Sequence, residues 1–177
     1  VRSCINREYA SASATWSADG RRIYFIKTNG DIWVMDNDGS NARALTTDTI
    51  NTSTCPIAPY RPDPNYVLYV EGKYFYKIAA ADGDKTLIYH ETGSPSYDGE
   101  IAISSDGTRM AARDGDNLIK IDISTGTSTR YAPRCSSSIS PNGQFLTKNW
   151  TGHTEMSIYN WSDISEYERL STPSGVS

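Results

Sequence analysis

Two turn signals recur along this chain at a fixed offset and a fixed period, and that recurrence constrains its fold more than any other feature. Asp19-Gly20, Asp63-Pro64-Asn65, Asp106-Gly107 and Asn142-Gly143 follow one another about every 40 residues. About 19 residues after each comes a second turn, at Asp38-Gly39, Asp82-Gly83, Thr125-Gly126 and, more loosely, Ser162-Asp163. Superimposing the four copies predicts four strands in each. First strands cover Ser13-Trp16, Pro56-Tyr60, Glu100-Ser104 and Ser136-Ser140; second strands cover Arg22-Ile26, Tyr66-Val70, Arg109-Ala112 and Gln144-Thr147. The third strands, Ile32-Met35, Tyr74-Ile78, Leu118-Ile121 and Met156-Tyr159, alternate apolar with polar or aromatic residues, the period of a half-buried strand. Fourth strands, Arg43-Thr46, Thr86-His90, Ser128-Ala132 and Tyr167-Ser171, are more polar, as suits an outer edge.

Sixteen short antiparallel strands in four equal groups, with no amphipathic helix between them, predict an all-β fold: a β-propeller of four-stranded antiparallel blades, four blades in this chain. A stacked sandwich is the alternative, but it requires neither the period nor the repeated offset. The blades span about residues 11–48, 49–92, 93–132 and 133–171, with residues 1–10 before them and a tail at 172–177. The segment Val1-Tyr9 is expected to close the ring beside the last blade. Its start has neither an initiator Met nor an apolar signal core, as expected of a processed chain or a piece of a longer one.

At 177 residues the chain is long enough for one domain with a real core. A net charge of −4 and the lack of a basic stripe argue against nucleic acid as a partner. No apolar run is long enough to insert into a membrane as a helix.

The run from Trp16-Ser17-Ala18-Asp19-Gly20-Arg21-Arg22-Ile23-Tyr24-Phe25 through Asp31-Ile32-Trp33-Val34-Met35-Asp36-Asn37-Asp38-Gly39-Ser40-Asn41 to Arg43-Ala44-Leu45-Thr46 resembles the TolB-like propeller repeat. Later copies keep only its cores, Ser104-Ser105-Asp106-Gly107 and Ser140-Pro141-Asn142-Gly143, while Pro62-Asp63-Pro64-Asn65 departs further. The resemblance implies a propeller in a periplasmic or extracellular setting. It implies no single activity, because similar repeats occur in periplasmic scaffolds, in the propeller domains of serine peptidases and in pectate-fragment lyases. TolB-like propellers usually have six or more blades. Four here make either a compact ring or part of a larger propeller completed by further sequence or another subunit.

In a propeller the loops between second and third strands share one face with the links between blades. That geometry gathers Lys27-Asn29, Glu71-Lys73, Arg113-Asp116 and Lys148-Thr154 with Asp48-Thr54, Glu91-Asp98 and Pro133-Cys135. From these the expected ligand-binding residues are Trp150, His153, Glu155, Arg113, Asp114, Glu71, Lys73, Tyr97 and Arg134. The Lys148-Glu155 loop stands out because an indole, an imidazole and a carboxylate lie close together, the chemistry that stacks on a sugar ring and bonds its hydroxyls. The competing role for Trp150 is packing on a neighbouring blade.

No catalytic residue, metal site or cofactor is assigned. Two histidines, His90 and His153, are too few for the His-rich metal centre of the lyase relatives, and no Gly-x-Ser-x-Gly elbow is present. Asp36-Asn37-Asp38-Gly39 lacks EF-hand spacing and reads as a hairpin turn. Cys4, Cys55 and Cys135 form no CxxC motif. A Cys55-Cys135 bridge across the channel, a bridge from Cys4 to either, and three free thiols all stay open. Three N-x-Ser/Thr sequons, at Asn51, Asn149 and Asn160, are near chance for a chain this rich in Ser and Thr.

The functional expectation is a non-catalytic extracytoplasmic module that binds a protein or glycan, with oligomerisation or a larger parent chain compatible with it. Two other classes stand beside it: a polysaccharide lyase or hydrolase using His90, His153 and nearby carboxylates, and a structural building block of an assembly.

Overall fold

The structure is a computed structural model and describes residues 13–27, 29–47, 57–92, 97–115, 117–133, 137–149 and 155–171. The recurring turn is built the same way in three copies. Ser17 Oγ donates to Asp19 Oδ1 (2.7 Å), the same carboxylate oxygen accepts the Arg21 N–H (3.1 Å), and Ser17 Oγ accepts the Arg22 N–H (2.9 Å). Ser104, Asp106, Thr108 and Arg109 repeat it at 2.6, 3.0 and 3.1 Å; Ser140, Asn142, Gln144 and Phe145 repeat it at 2.7, 3.1 and 2.9 Å. Gly20, Gly107 and Gly143 adopt φ of 71°, 76° and 70°, a region that a side chain disfavours, which is why Asp-Gly or Asn-Gly marks the turn in sequence. Pro64 replaces glycine in the second copy, yet Asp63 still accepts the Asn65 N–H (2.9 Å).

Each turn joins two strands of one blade. The first blade is β1 (Ser13–Trp16), β2 (Arg22–Ile26), β3 (Ile32–Asp36) and β4 (Arg43–Ala44); the second is β5 (Ile57–Pro59), β6 (Tyr66–Glu71), β7 (Tyr74–Ala79) and β8 (Lys85–His90). The third is β9 (Tyr97–Ile103), β10 (Arg109–Asp114), β11 (Asn117–Asp122) and β12 (Thr127–Pro133); the fourth is β13 (Ser137–Ile139), β14 (Phe145–Asn149), β15 (Glu155–Asn160) and β16 (Glu166–Ser171). Every blade is a four-stranded sheet with its strands in sequence order and every pair antiparallel, so the described chain is a four-blade β-propeller without helices.

The predicted strands are all present, with ends that differ by one to three residues in most of them, and two of these differences have a visible cause. The fourth strand of blade one stops at Ala44, because the Leu45 and Thr46 amides both turn to the Ile32 carbonyl (2.8 and 3.3 Å) and Thr46 Oγ1 accepts the Ile32 N–H (3.0 Å). The first strand of blade three starts at Tyr97, whose N–H reaches the Gly72 carbonyl of blade two (3.2 Å). In the fourth copy the second turn has no glycine. Ile164 takes the positive φ there, at 60°, and its N–H bonds to the Asn160 carbonyl (3.1 Å).

Alternation along the strands gives each blade a backward and a forward face. Tyr24, Ile26, Ile32 and Val34 of blade one pack on Ile57, Val67, Tyr69 and Ile78 of blade two. Leu68, Val70, Phe75 and Tyr89 then pack on Ile101, Ile103, Met110 and Ile121 of blade three, and Ala102, Ala111 and Tyr131 on Ile139, Leu146 and Trp161 of blade four. Inner strands neighbour one another in that order, β1 beside β5, β5 beside β9 and β9 beside β13. Side chains with polar ends lock the blades together. Arg61 Nη1 donates to the Ile103 and Ile139 carbonyls, both at 2.9 Å, and the Tyr131 hydroxyl donates to the Thr147 carbonyl at 2.9 Å. Ring closure by Val1-Tyr9 and the pairing of Cys4, Cys55 and Cys135 fall outside the described residues.

Candidate functional site at the loop end

Because the strands are antiparallel and in sequence order, the ends of β2, β6, β10 and β14 and the starts of β3, β7, β11 and β15 lie at one end of the propeller. The β6–β7 hairpin at that end is described throughout. Glu71 and Tyr74 are opposite one another, and Gly72 has φ of 58°, which a loop of Gly72 and Lys73 alone requires. Tyr74 in turn faces His90 across β7 and β8. Their rings stack with centroids 6.2 Å apart and planes 16° from parallel, and Lys73 Nζ lies 5.7 Å from the Tyr74 ring centroid. Tyr74 is 39% exposed and His90 is exposed, so carboxylate, ammonium, phenol and imidazole share one surface patch. Below it, Tyr76 stacks at 6.2 Å on Tyr69, which is buried against blade one.

Tyr97, Arg113 and Asp114 belong to blade three, which meets the hairpin on the other side from this patch. The Tyr97 amide bonds to Gly72 in the hairpin, and Tyr97 is the cross-strand partner of Asp114. The Tyr97 side chain points inward: it is 2% exposed and packs edge-on to Phe75 at 4.8 Å. Its hydroxyl donates to Glu91 Oε2 (3.3 Å), as does that of Tyr89 (2.9 Å). Burial and the hydrogen bond to Glu91 push the Tyr89 phenol up to about 12, and burial followed by the Glu91 charge drives Tyr97 higher still. For Glu91 itself burial opposes ionisation, but hydrogen bonds from Ser128, Tyr89, the Thr92 amide and Tyr97 outweigh it and hold its pKa below the ordinary value. The phenols therefore act as donors to a carboxylate that stays charged, a rigid node under the loops. Asp114 Oδ2 lies 3.5 Å from Arg130 Nη2, and Arg113 is half-buried.

Glu155 opens β15 on blade four, half-buried and 3.8 Å from Arg169 Nη1, while Arg169 holds Glu166 through two bonds of 2.9 Å. Trp150, His153 and Arg134 lie outside the described residues. The structure thus brings Tyr97 and Asp114 together on the blade-three side of the junction with blade two, while Glu71 lies with Tyr74 and His90 on the face of blade two turned to blade one, Arg113 is on the face of β10 opposite Asp114, and Glu155 is on blade four. Sequence reasoning did not place Tyr74 or Glu91 among the site residues. Tyr74 could have been found, since it follows Lys73 directly in a predicted loop; the role of Glu91 depends on phenols from two different blades. Among the described residues, no three His, Cys, Asp or Glu side chains are grouped to hold a metal ion.

An exposed, flat pair of rings edged by an acid and a base can stack on a sugar ring or an apolar side chain while bonding its polar groups.

No protein-family model and no curated protein matches this chain. Solved structures do. An oligogalacturonate lyase in complex with manganese superimposes with a TM-score of 0.65 at 17% identity, over 87% of this chain and 50% of its own. A chain of the nidogen/laminin complex gives 0.65 at 11%, over 90% and 62%. The oligogalacturonate lyase of Vibrio parahaemolyticus gives 0.60 at 14%, over 88% and 51%. This chain therefore spans between half and less than two thirds of these structures' lengths, and what it shares with a lyase and with a chain of a protein complex is the propeller fold.

Proposed function

We propose that this chain is a TolB-like propeller module that works outside the cytoplasm and binds a protein or glycan partner at its loop end without catalysing a reaction. The observation that carries the reading is the exposed Tyr74–His90 stack flanked by Glu71 and Lys73, at the loop end of the propeller on the face of blade two turned to blade one. The half-buried Glu91 node on the other face of blade two ties Tyr89 to Tyr97 of blade three and steadies the hairpin, so little ordering would accompany binding. Lyase or hydrolase chemistry draws only on fold-level likeness to the oligogalacturonate lyases.

The test is Tyr74→Ala, assayed on an oligosaccharide array and against extracellular proteins, with thermal unfolding as the control for fold. Loss of one stacked aromatic weakens binding by about 1 kcal/mol, roughly five- to tenfold, with the melting temperature kept within a few degrees because Tyr74 lies at the surface. Unchanged affinity for a ligand that binds the parent would move the site elsewhere. Turnover of polygalacturonate or another anionic polysaccharide would replace the binding reading with an enzymatic one.

A further inference from the structure

The junction between blades one and two differs from that between blades three and four at one repeated position. At the turn end of the propeller, opposite the loop end, the Ala80 N–H bonds to the Asn65 carbonyl (2.7 Å) as the Trp161 N–H bonds to the Gln144 carbonyl (2.8 Å). Each position receives two cations from the preceding blade. The guanidinium of Arg109, which opens β10, and Lys120 Nζ of β11 lie 5.2 and 5.3 Å from the Trp161 ring centroid, and Lys120 Nζ also donates to the Trp161 carbonyl (2.6 Å). Arg22 opens β2 in the same way, and Arg43 Nη2 donates to the Ala80 carbonyl as Lys120 does to that of Trp161. In blade four an indole gives both cations an electron-rich surface; Ala80 gives none. Bulk is exchanged in the core beneath: Tyr24 stands two residues after Arg22 where Ala111 stands two after Arg109, so the phenol ring fills the interior of this junction. What stays open is a hollow of about 200 Å³ lined by Arg22, Arg43, Asn65, Tyr66 and residues 79–81.

Arg22 is half-buried there, its Nη1 donating to Asn65 Oδ1 (3.1 Å) with the Tyr24 hydroxyl beside it, and Arg43 is exposed. Among the described residues no carboxylate forms an ion pair with either guanidinium, and no ring lies against one. The carboxylates of the surrounding turns face donors of their own. Asp36, opposite Arg22 in register, accepts Asn41 Nδ2 (2.6 Å); Asp63 Oδ1 accepts the Asn65 N–H and Nδ2 (2.9 and 3.0 Å); Asp82 accepts the Asp84 N–H (3.1 Å). We propose that this hollow binds a tetrahedral oxyanion, phosphate or sulfate, free or as the ester group of a larger ligand. Two positive charges from β2 and β4 match a dianion, and each guanidinium has five N–H donors in a fork that suits its oxygens. The site lies at the other end of the propeller from the Tyr74–His90 patch and is independent of it.

Titration of the nitrogen-15-labelled 177-residue chain with sodium phosphate, sodium sulfate and glucose 6-phosphate at low ionic strength, followed by amide chemical shifts, tests it. The expected result is saturable shifts at low millimolar anion or below, confined to amides around Asn65, Ala80 and Ala81. Arg22→Gln and Arg43→Gln should each weaken binding about tenfold, the loss of one charge-assisted hydrogen bond. Arg43 is exposed, so its variant decides the matter if Arg22→Gln disturbs the fold. Arg21→Gln removes an almost fully exposed cation that does not line the hollow, and should change affinity less than about twofold. Affinity for free phosphate equal to or above that for glucose 6-phosphate assigns the site to the free ion; tighter binding of the ester assigns it to a phosphorylated ligand. Shifts that never saturate overturn the proposal. So does a loss for Arg21→Gln as large as for Arg43→Gln, which marks diffuse attraction to positive charge rather than a site.

Discussion

Replacing Arg61 with methionine keeps the aliphatic stem and removes only the guanidinium that ties blade two to blades three and four. Its Nη1 carries two protons, and each is directed at a carbonyl 2.9 Å away, Ile103 at the end of β9 and Ile139 at the end of β13. A hydrogen bond from a charged donor contributes about 1.5–3 kcal/mol, so the gross loss is about 3–6 kcal/mol. Two effects reduce it. Burial pulls the Arg61 pKa below that of a free guanidinium, so removing the charge relieves a desolvation cost, and water entering the half-buried site can serve the two carbonyls. A net destabilisation of about 2 kcal/mol follows. Urea unfolding followed by tryptophan fluorescence and far-ultraviolet circular dichroism measures it. With a slope of about 2 kcal/mol/M, the midpoint falls by about 1 M, and Arg61→Lys, which keeps the charge but not the two-pronged geometry, falls between the two. A midpoint for Arg61→Met within about 0.2 M of the parent would refute the argument that this side chain couples three blades.

Gly83→Ala places a methyl group on the Leu45 carbonyl oxygen and 2.9 Å from its carbon, at φ of 83°, and should cost about 2–4 kcal/mol in the same assay; Gly126→Ala, at φ of 68° with open space around it, should cost only about 1 kcal/mol. Equal costs would show that the close approach between blades one and two does not matter. Asp106 has its pKa lowered to about 2, chiefly by the Ser104 hydroxyl and then by the Thr108 amide and hydroxyl. Its folded pKa is below the ordinary Asp value of 3.8, so its contribution is present above about pH 4 and is lost as pH falls through about 2. Asp106→Asn should keep the turn, as Asn142 does in blade four, and flatten the decline of stability between about pH 5 and 2; an unchanged acid limb would reject the assignment.

Turns and strands were legible because their causes are local. A glycine at positive φ, an Asp or Asn that accepts an amide two residues on, and a side chain alternating in or out all act within a few residues, so four copies of one pattern announced four blades. Where the local signal was weak, sequence said less: it placed the fourth second turn only loosely, at Ser162-Asp163, and the backbone shows that Ile164, at φ of 60°, takes the conformation that glycine takes in the other copies. The loop end was legible as a topological consequence, since Glu71 and Asp114 end second strands and Lys73 lies in the hairpin that follows, but the face each side chain takes was not. That the Tyr97 ring turns inward to Glu91, while Tyr74 turns outward to stack on His90, was decided by tertiary packing. Alternation separates the two faces of a strand without saying which neighbour covers each. Arg61 makes the same point at longer range, since it meets the Ile139 carbonyl 78 residues away, a distance at which no periodicity in the chain specifies a partner and only the packed blades do.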